Sequence, residues 1–313
     1  MNTHSFGRVL PPPPLPFLWQ NGNLTDFNNI NDFDGSSSEV FDINNSGQVV
    51  GRTLTSSRLY HAFLWQNGTK TYLGNNGSDN SSVAVGINNS GQVVGWSYQA
   101  SSNNRDAPDG SYHAVLWQNG SPTNLGTLPG DNNSRAFAIN KLGQVFGVSY
   151  QSSNSTIPST QHIFRWQNGT MTNFGNLVTS SPYAYSTINQ INNRGQVVGT
   201  SINTGHGSTA YIWKKGSLTY LDSSGFGGTL HGEALGINAA GTVVGYLTIN
   251  GSINRAFVWR DGTMRNLNNL LLPNSGWELN SVVGINNKGQ IIGTGKFNGQ
   301  NRAFILTPVT VSN

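Results

Sequence analysis

An all-β fold is predicted by three features of this sequence: its composition, a motif that recurs six times, and the lack of helical periodicity. Charged residues make up 10% of the 313 positions, well below the usual ~25%, whereas Gly (39) is abundant and aromatic residues reach 10%. A disordered polar chain would not carry so many aromatic residues. No stretch shows a convincing 3.6-residue apolar period, which excludes α/β barrels and Rossmann-like layers.

Two motifs alternate along the chain. The first, Ile-Asn-x-x-Gly-(Gln/Thr) followed by two apolar residues and Gly, begins at Ile43, Ile87, Ile139, Ile191, Ile237 and Ile285. The second, aromatic-x-Trp-x-x-Gly, begins at Phe17, Phe63, Phe164, Tyr211 and Phe257, with VLWQNG at Val115 and a degenerate copy at residues 303–306. The repeat length of about 44 to 52 residues is typical of propeller blades.

Each repeat predicts four short strands joined by two tight hairpins. In the first motif the Gly supplies the positive φ of the turn, and in the second a pair such as Asn67-Gly68 predicts a type I′ turn. Residues 62–65 are apolar at consecutive positions, so both faces of that strand must be covered. The prediction is one six-bladed β-propeller of four-stranded antiparallel blades over residues 15–307, after a Pro-rich lead-in (1–14) and before a short tail (308–313).

The two ends of the chain allow two strand counts. Counted from Phe17, six complete units leave residues 303–306 as a surplus strand. Counted from Ile43, the last unit has three strands, and residues 17–27 could supply the fourth. We expect the second arrangement, closure by exchange of terminal strands, because an open edge is an aggregation hazard.

The repeated Trp and Asn residues are predicted to be structural. Large apolar residues that recur at one register form the core between stacked repeats, and Asn in tight turns bonds its own backbone. The Trp set is Trp19, Trp65, Trp117, Trp166, Trp213 and Trp259, and the Asn set is Asn44, Asn88, Asn140, Asn192, Asn238 and Asn286.

These motifs resemble the HAF repeat family, named for the triplet that stands here at residues 61–63. GINNSGQVVGWS, followed by HAVLWQNGSPTNLGTLPGDNNSRAFAIN, carries the resemblance, which extends over about residues 15–307. Later repeats depart from it, with Thr209, Arg255 and Arg302 at the His position. The resemblance implies an extracellular or cell-surface repeat protein and no settled activity. No secretory signal is visible at the N-terminus.

Composition also excludes several classes of partner and cofactor. The chain has no Cys, which excludes disulfides and thiolate zinc sites. A net charge of +4 is spread thinly, which argues against nucleic acid, and no apolar run is long enough for membrane insertion. His61, His113 and His162 share a register, but sheets packed ~10 Å apart are too far apart for one zinc ion. We therefore expect a hydrogen bond between blades at these His residues, no metal, no cofactor, and a monomer.

Ligand binding is predicted at the rim that carries the long connections. Alternating strand directions place both tight turns of each repeat on one rim and both longer connections on the other, and loops on a rigid scaffold carry sites. Two long connections, 96–113 and 148–162, and the loop before the last repeat supply the aromatic, polar and charged side chains. The candidates are Trp96, Tyr98, Arg105, Asp106, Asp109, Tyr112, His113, Tyr150 and Trp277. Aromatic faces with directed hydrogen bonds suit a neutral glycan or a protein surface, which predicts a non-catalytic binding module.

The alternative is an enzyme of lyase, hydrolase or cyclase type in the mouth of the propeller. The sequence has no G-x-S-x-G or H-E-x-x-H motif. Glu39, Glu233 and Arg135 nevertheless share a register just before the first strand of their repeats, close to the long-loop rim. With His61 and His113 they are the candidate active-site residues, and the two Glu carboxylates are compatible with general acid and base catalysis.

Overall fold

The fold is described from a computed structural model. The residues described are 17–20, 23–27, 37–101, 108–151, 160–178, 185–203, 207–214, 216–227 and 230–309. They form 25 strands and two short 3₁₀ helices, Ser224–Phe226 and Leu267–Leu270. Every strand pairs with a strand that is its neighbour in the sequence, and all of these pairs are antiparallel.

The strands form six sheets, which we call blades 1 to 6, and one separate hairpin. The hairpin consists of β1 (Phe17–Gln20) and β2 (Asn23–Asp26). Blade 1 contains β3 (Ser37–Ile43), β4 (Val49–Leu54), β5 (Tyr60–Gln66) and β6 (Thr69–Tyr72). Blade 2 contains β7 (Ser81–Ile87), β8 (Val93–Ala100), β9 (Pro108–Gln118) and β10 (Ser121–Asn124). Blade 3 contains β11 (Asn133–Ile139), β12 (Val145–Tyr150), β13 (Thr160–Gln167) and β14 (Thr170–Val178).

The remaining three blades follow the same order. Blade 4 contains β15 (Tyr185–Ile191), β16 (Val197–Asn203), β17 (Gly207–Lys214) and β18 (Ser217–Tyr220). Blade 5 contains β19 (Leu230–Ile237), β20 (Val243–Ile249), β21 (Ile253–Arg260) and β22 (Thr263–Asn266). Blade 6 has three strands, β23 (Trp277–Ile285), β24 (Ile291–Phe297) and β25 (Gln300–Leu306).

Both predicted turn types are confirmed. Asn67 and Gly68 have φ values of 49° and 87°, as a type I′ turn requires. Between the first two strands of blade 1, Asn44 N–H donates to the Gln48 carbonyl at 3.0 Å, and Gly47 adopts a φ of 74°. The turns therefore follow from local sequence alone.

The hydrophobic core lies between successive blades. The first strands of neighbouring blades pack on one another from β3 to β23, so they are the innermost strands. Val50 and Val94 of the second strands are fully buried against the next blade, and Trp117 is 1% exposed. The predicted role of the repeated Trp residues in the inter-blade core is confirmed for Trp117, Trp213 and Trp259, whereas Trp65 is buried between blade 1 and the β1–β2 hairpin.

The predicted exchange of terminal strands is wrong in this structure. Among the described residues, β1 pairs with β2 alone, and β25 pairs with β24 alone. The hairpin packs instead on blade 1, where Phe27 is 1% exposed beside Phe63 and Trp65. Both β1 and β25 carry the third-strand sequence of the repeat, so the chain has more third strands than a six-bladed ring can use.

The last blade consequently keeps an apolar surface. Ile292 is 47% exposed and Ile305 is 69% exposed, whereas Val198 and Val244, at the position of Ile292 in blades 4 and 5, are fully buried. Each of these valines is covered by the next blade. No described blade covers the corresponding face of blade 6.

Candidate functional site

Four of the candidate functional residues from the sequence analysis converge at the junction of blades 2 and 3. The Arg135 guanidinium carbon lies 5.1 Å from the ring centre of Tyr112, 5.7 Å from that of Trp96 and 5.9 Å from that of Tyr150. Phe137, which sequence reasoning missed, is the fourth ring at 5.5 Å. These distances are within the ~6 Å range of cation–π attraction. We call these five residues the Arg135 cluster.

The strands that carry the Arg135 cluster place it toward the long-loop rim. Arg135 is close to the beginning of β11, opposite Val148 of β12, and Tyr150 is the last residue of β12. Phe137 is the extra residue at a β-bulge, where the pairing steps from Ala136 to Ala138. Bulges redirect side chains out of the regular alternation, and no repeat pattern in the sequence marks which bulge carries an aromatic ring toward a cation.

The last Gly of the repeat motif allows the close approach of β11 and β12 at this point. A Cβ atom on Gly147 would lie 2.1 Å from the carbonyl oxygen of Arg135. In blade 2 the equivalent residue is Gly95, and a Cβ atom on it would lie 1.9 Å from the carbonyl oxygen of Val83. Any larger residue would push the first two strands of the blade apart.

Among the described residues, Arg135 has aromatic neighbours and no anionic partner. Within the part of the chain that the structure describes, it forms no hydrogen bond or ion pair, and its Nε is buried without an acceptor. The charge of Arg135 acts on Tyr150, where it partly opposes the burial that raises the pKa of the phenol. The arrangement presents a half-buried cation, fixed between rings, with donors left for a ligand.

The other predicted ligand-binding residues lie elsewhere. Tyr98 is 1% exposed and packs on Tyr112 at a ring distance of 5.3 Å, so it presents no face to a ligand. Trp277 is on blade 6, where its ring packs at an angle against Phe297 and edge-to-face against Phe304. Arg105 and Asp106 lie outside the described residues. Asp109 lies in β9, but its side chain is not among the side chains described.

Two of the three rim His residues are held by buried Asp side chains. His113 Nδ1 lies 2.9 Å from Asp79 Oδ2, and His162 Nδ1 lies 2.9 Å from Asp131 Oδ2. The predicted bond between blades is thus replaced by one within a repeat, because each Asp lies in the loop that enters the same blade as its His. The matching register of Asp79 and Asp131 in the sequence was the available signal. His61 packs on the Tyr72 ring, and burial lowers the pKa of its imidazole.

The residues of the enzyme alternative are not brought together. Glu39, Arg135 and Glu233 lie within the first strands of blades 1, 3 and 5, not before them as the sequence suggested. Glu39 forms an ion pair with Arg52 at 2.9 Å, and Glu233 lies opposite Tyr246 in the pairing of β19 with β20. A shared register on alternate blades separates these side chains around the ring.

Tyr246 provides a test of the Glu233 environment. Burial first, and then the hydrogen bond to Glu233 and its charge, raise the pKa of Tyr246 to about 12. We expect Glu233→Gln to lower the pKa of Tyr246, measured as the tyrosinate absorbance that is lost on Tyr246→Phe. Because the folded pKa exceeds the unfolded value of ~10, the contribution of Tyr246 to stability is full below pH ~10 and is lost as the pH rises toward the folded pKa.

The matched control for Tyr246 is Glu39→Gln. Glu39 occupies the same register but pairs with Arg52 on blade 1, so its removal should leave the Tyr246 titration unchanged. An unaltered titration in Glu233→Gln would show that the two side chains do not interact.

A second polar surface lies at the opposite, tight-turn rim. Its cavity of about 400 Å³ is lined by turn residues of blades 2 to 6, including Asn89, Asn193 and Asn287. The repeated Asn residues bond their own turns, as predicted. Their amide Nδ2 also donates to the carbonyl oxygen of the equivalent Asn in the next blade, which sequence reasoning missed. The five bonds are Asn44 to Asn88, Asn88 to Asn140, Asn140 to Asn192, Asn192 to Asn238 and Asn238 to Asn286, at 2.9–3.5 Å.

Metal ligands and membrane-spanning helices were sought across the described ranges. No group of three or more His, Asp or Glu side chains there could hold a metal ion. None of the helices in this part of the chain has the length and hydrophobicity to cross a bilayer.

Comparison with known proteins shows the fold. No protein-family model and no curated protein matches this sequence. The β-propeller domain of the Trilobed protease from Pyrococcus furiosus, described as having an open velcro topology, is 10% identical with a TM-score of 0.53, over 87% of this chain and 82% of that one. Prolyl oligopeptidase B from Galerina marginata is 8% identical with a TM-score of 0.50, over 86% of this chain and 41% of that one. The lectin AAL from Aleuria aurantia is 11% identical, with a TM-score of 0.46, over 88% of this chain and 93% of that one. At these identities the first two similarities show the fold alone, and that fold is a β-propeller.

Proposed function

We propose that this protein is a non-catalytic binding module of HAF-like repeats, which acts outside the cell and binds a glycan or an extracellular protein at its long-loop rim. The observation that carries the proposal is the convergence of Trp96, Tyr112 and Tyr150 on Arg135. Aromatic rings fixed beside hydrogen-bond donors are the usual means of holding a sugar or a peptide with defined orientation. Of the two ligand classes we favour a glycan.

Binding is better supported than catalysis because the two Glu candidates lie on separate blades, blades 1 and 5. Acid–base catalysis requires groups within hydrogen-bond reach of one substrate. Here Glu39 is paired with Arg52, and Glu233 lies opposite Tyr246 on blade 5, two blades beyond Arg135. His113 and His162 each face a separate Asp.

A glycan array tests the proposal directly. The purified chain is screened against neutral and acidic glycans, and every hit is repeated with Trp96→Ala. The matched control is Tyr220→Ala, which removes a 50% exposed aromatic ring from blade 4. We expect the hit to be lost in the first variant and kept in the second, with thermal unfolding confirming that both variants are folded. A hit that survives Trp96→Ala would move the site away from the Arg135 cluster, and no glycan hit would overturn the glycan proposal.

A further inference from the structure

Arg135 differs from the other arginines whose partners the structure shows. Arg52 and Arg255 are each paired with a Glu carboxylate, Glu39 and Glu278, at 2.9 Å. Arg260 is paired with Asp261 at 3.2 Å. Arg135 alone is surrounded by four aromatic rings, and among the described residues no carboxylate faces it. A guanidinium so held is fixed in position before a ligand arrives.

Aromatic rings stabilise the charge of Arg135 but do not replace an anion. Ring faces attract a cation through their quadrupole, yet they accept hydrogen bonds poorly, so the donors of the guanidinium remain available to a better acceptor. The planar donor fork of Arg matches a carboxylate in two parallel hydrogen bonds. The rings of Trp96 and Tyr112 beside this fork provide an apolar surface for the body of the same ligand.

The charge at this rim favours a singly charged anion. The two neighbouring His residues, His113 and His162, are each matched by a buried carboxylate, Asp79 and Asp131, and so add no free positive charge. One guanidinium balances one negative charge, whereas a phosphate carries close to two. A sugar that bears a carboxylate combines the single charge with a ring that can lie against aromatic side chains.

We propose that the Arg135 cluster is the specificity-determining site of the proposed module and that Arg135 binds the carboxylate of a uronate sugar in a glycan. This inference rests on the proposed function and defines the ligand more narrowly. Arg135 supplies the paired donors, and the ring faces of Trp96 and Tyr112 pack on the sugar. The long-loop rim positions the glycan so that the remainder of the chain extends over blades 2 and 3.

The test compares a carboxylate with its ester on the intact protein. Trigalacturonate and its methyl ester have the same rings, but the ester lacks the charge, so calorimetric titration of the unmodified chain needs no variant. We expect the acid to bind at least about tenfold more tightly than the ester. Equal affinity for the acid and the ester would overturn the inference, and so would tighter binding of galactose 6-phosphate than of monomeric galacturonate.

Two variants assign the effect to Arg135. Arg135→Lys keeps the charge and removes the planar fork, and we expect it to lose most of the preference for the acid over the ester. The control is Arg165→Lys, since Arg165 also has a buried, unpaired Nε but faces one ring, Phe174, at 5.2 Å. Arg165→Lys should keep the preference. Near-ultraviolet circular dichroism establishes that each variant is folded.

The outcomes separate the inference from the proposed function. A neutral glycan that binds through Trp96 and is indifferent to Arg135→Lys would overturn the uronate inference and keep the binding module. If no glycan binds, acidic or neutral, both the uronate inference and the proposed glycan-binding function would be overturned. An Arg135→Lys variant that retains the full preference for the acid would show that Arg135 is a packing residue.

Discussion

Phe27→Ala is expected to lower the free energy of unfolding by about 3–5 kcal/mol, the range for removal of a fully buried Phe side chain. Phe27 is 1% exposed, and its ring centre lies 5.5 Å from that of Trp65 and 6.3 Å from that of Phe63. Phe27 directly follows β2 and packs with Phe63 and Trp65 of blade 1, so it attaches the β1–β2 hairpin to that blade. The measurement is urea unfolding followed by tryptophan fluorescence.

The control for Phe27 is Phe41→Ala in β3 of blade 1, the blade on which Phe27 packs. Phe41 is 45% exposed, so its truncation should change stability by less than about 0.5–1 kcal/mol. A similar loss of unfolding free energy in both variants would mean that the hairpin does not pack on blade 1. Another part of the protein would then have to cover the apolar face of that blade.

Asn192→Ala is expected to destabilise the protein by about 1–2 kcal/mol more than Asn286→Ala, since it alone removes a hydrogen bond between blades. In both turns the side-chain oxygen accepts two backbone N–H groups, and Nδ2 donates to a Gln side chain four residues later. Asn192 Nδ2 also donates to the Asn238 carbonyl at 2.9 Å. Among the described residues, Asn286 has no such bond to a following blade.

The comparison of the two Asn variants isolates the contact between blades. Both lose the same three hydrogen bonds within the turn, so the difference in their midpoints of urea unfolding reports the added bond at blade 4. Equal destabilisation would show either that the inter-blade bond contributes nothing or that Asn286 acquires a partner in solution. A denaturation experiment with Asn192→Asp would then distinguish them, because a carboxylate keeps the acceptor oxygen for the turn and removes the Nδ2 donor.

Local sequence was sufficient wherever a few neighbouring residues decide the outcome. Asn67-Gly68 forms its turn because both residues tolerate a positive φ, and Asn192 bonds its own turn because the partners are two and four residues away. The burial of Trp117 followed from a recurring apolar position in a strand whose two faces are covered. Arg135 and Trp96 were both nominated, but for different functions and in different repeats.

By itself the sequence determined the repeat, the four-stranded unit, both hairpin turns and the inter-blade position of the Trp residues, since these depend on backbone preferences and on which faces are apolar. Only the tertiary structure decided that the β1–β2 hairpin packs on blade 1, that each Asn amide reaches the next blade, and that Arg135 lies among rings from two blades. These features depend on distances between residues that are far apart in the chain, and such distances are set by how one blade packs on the next.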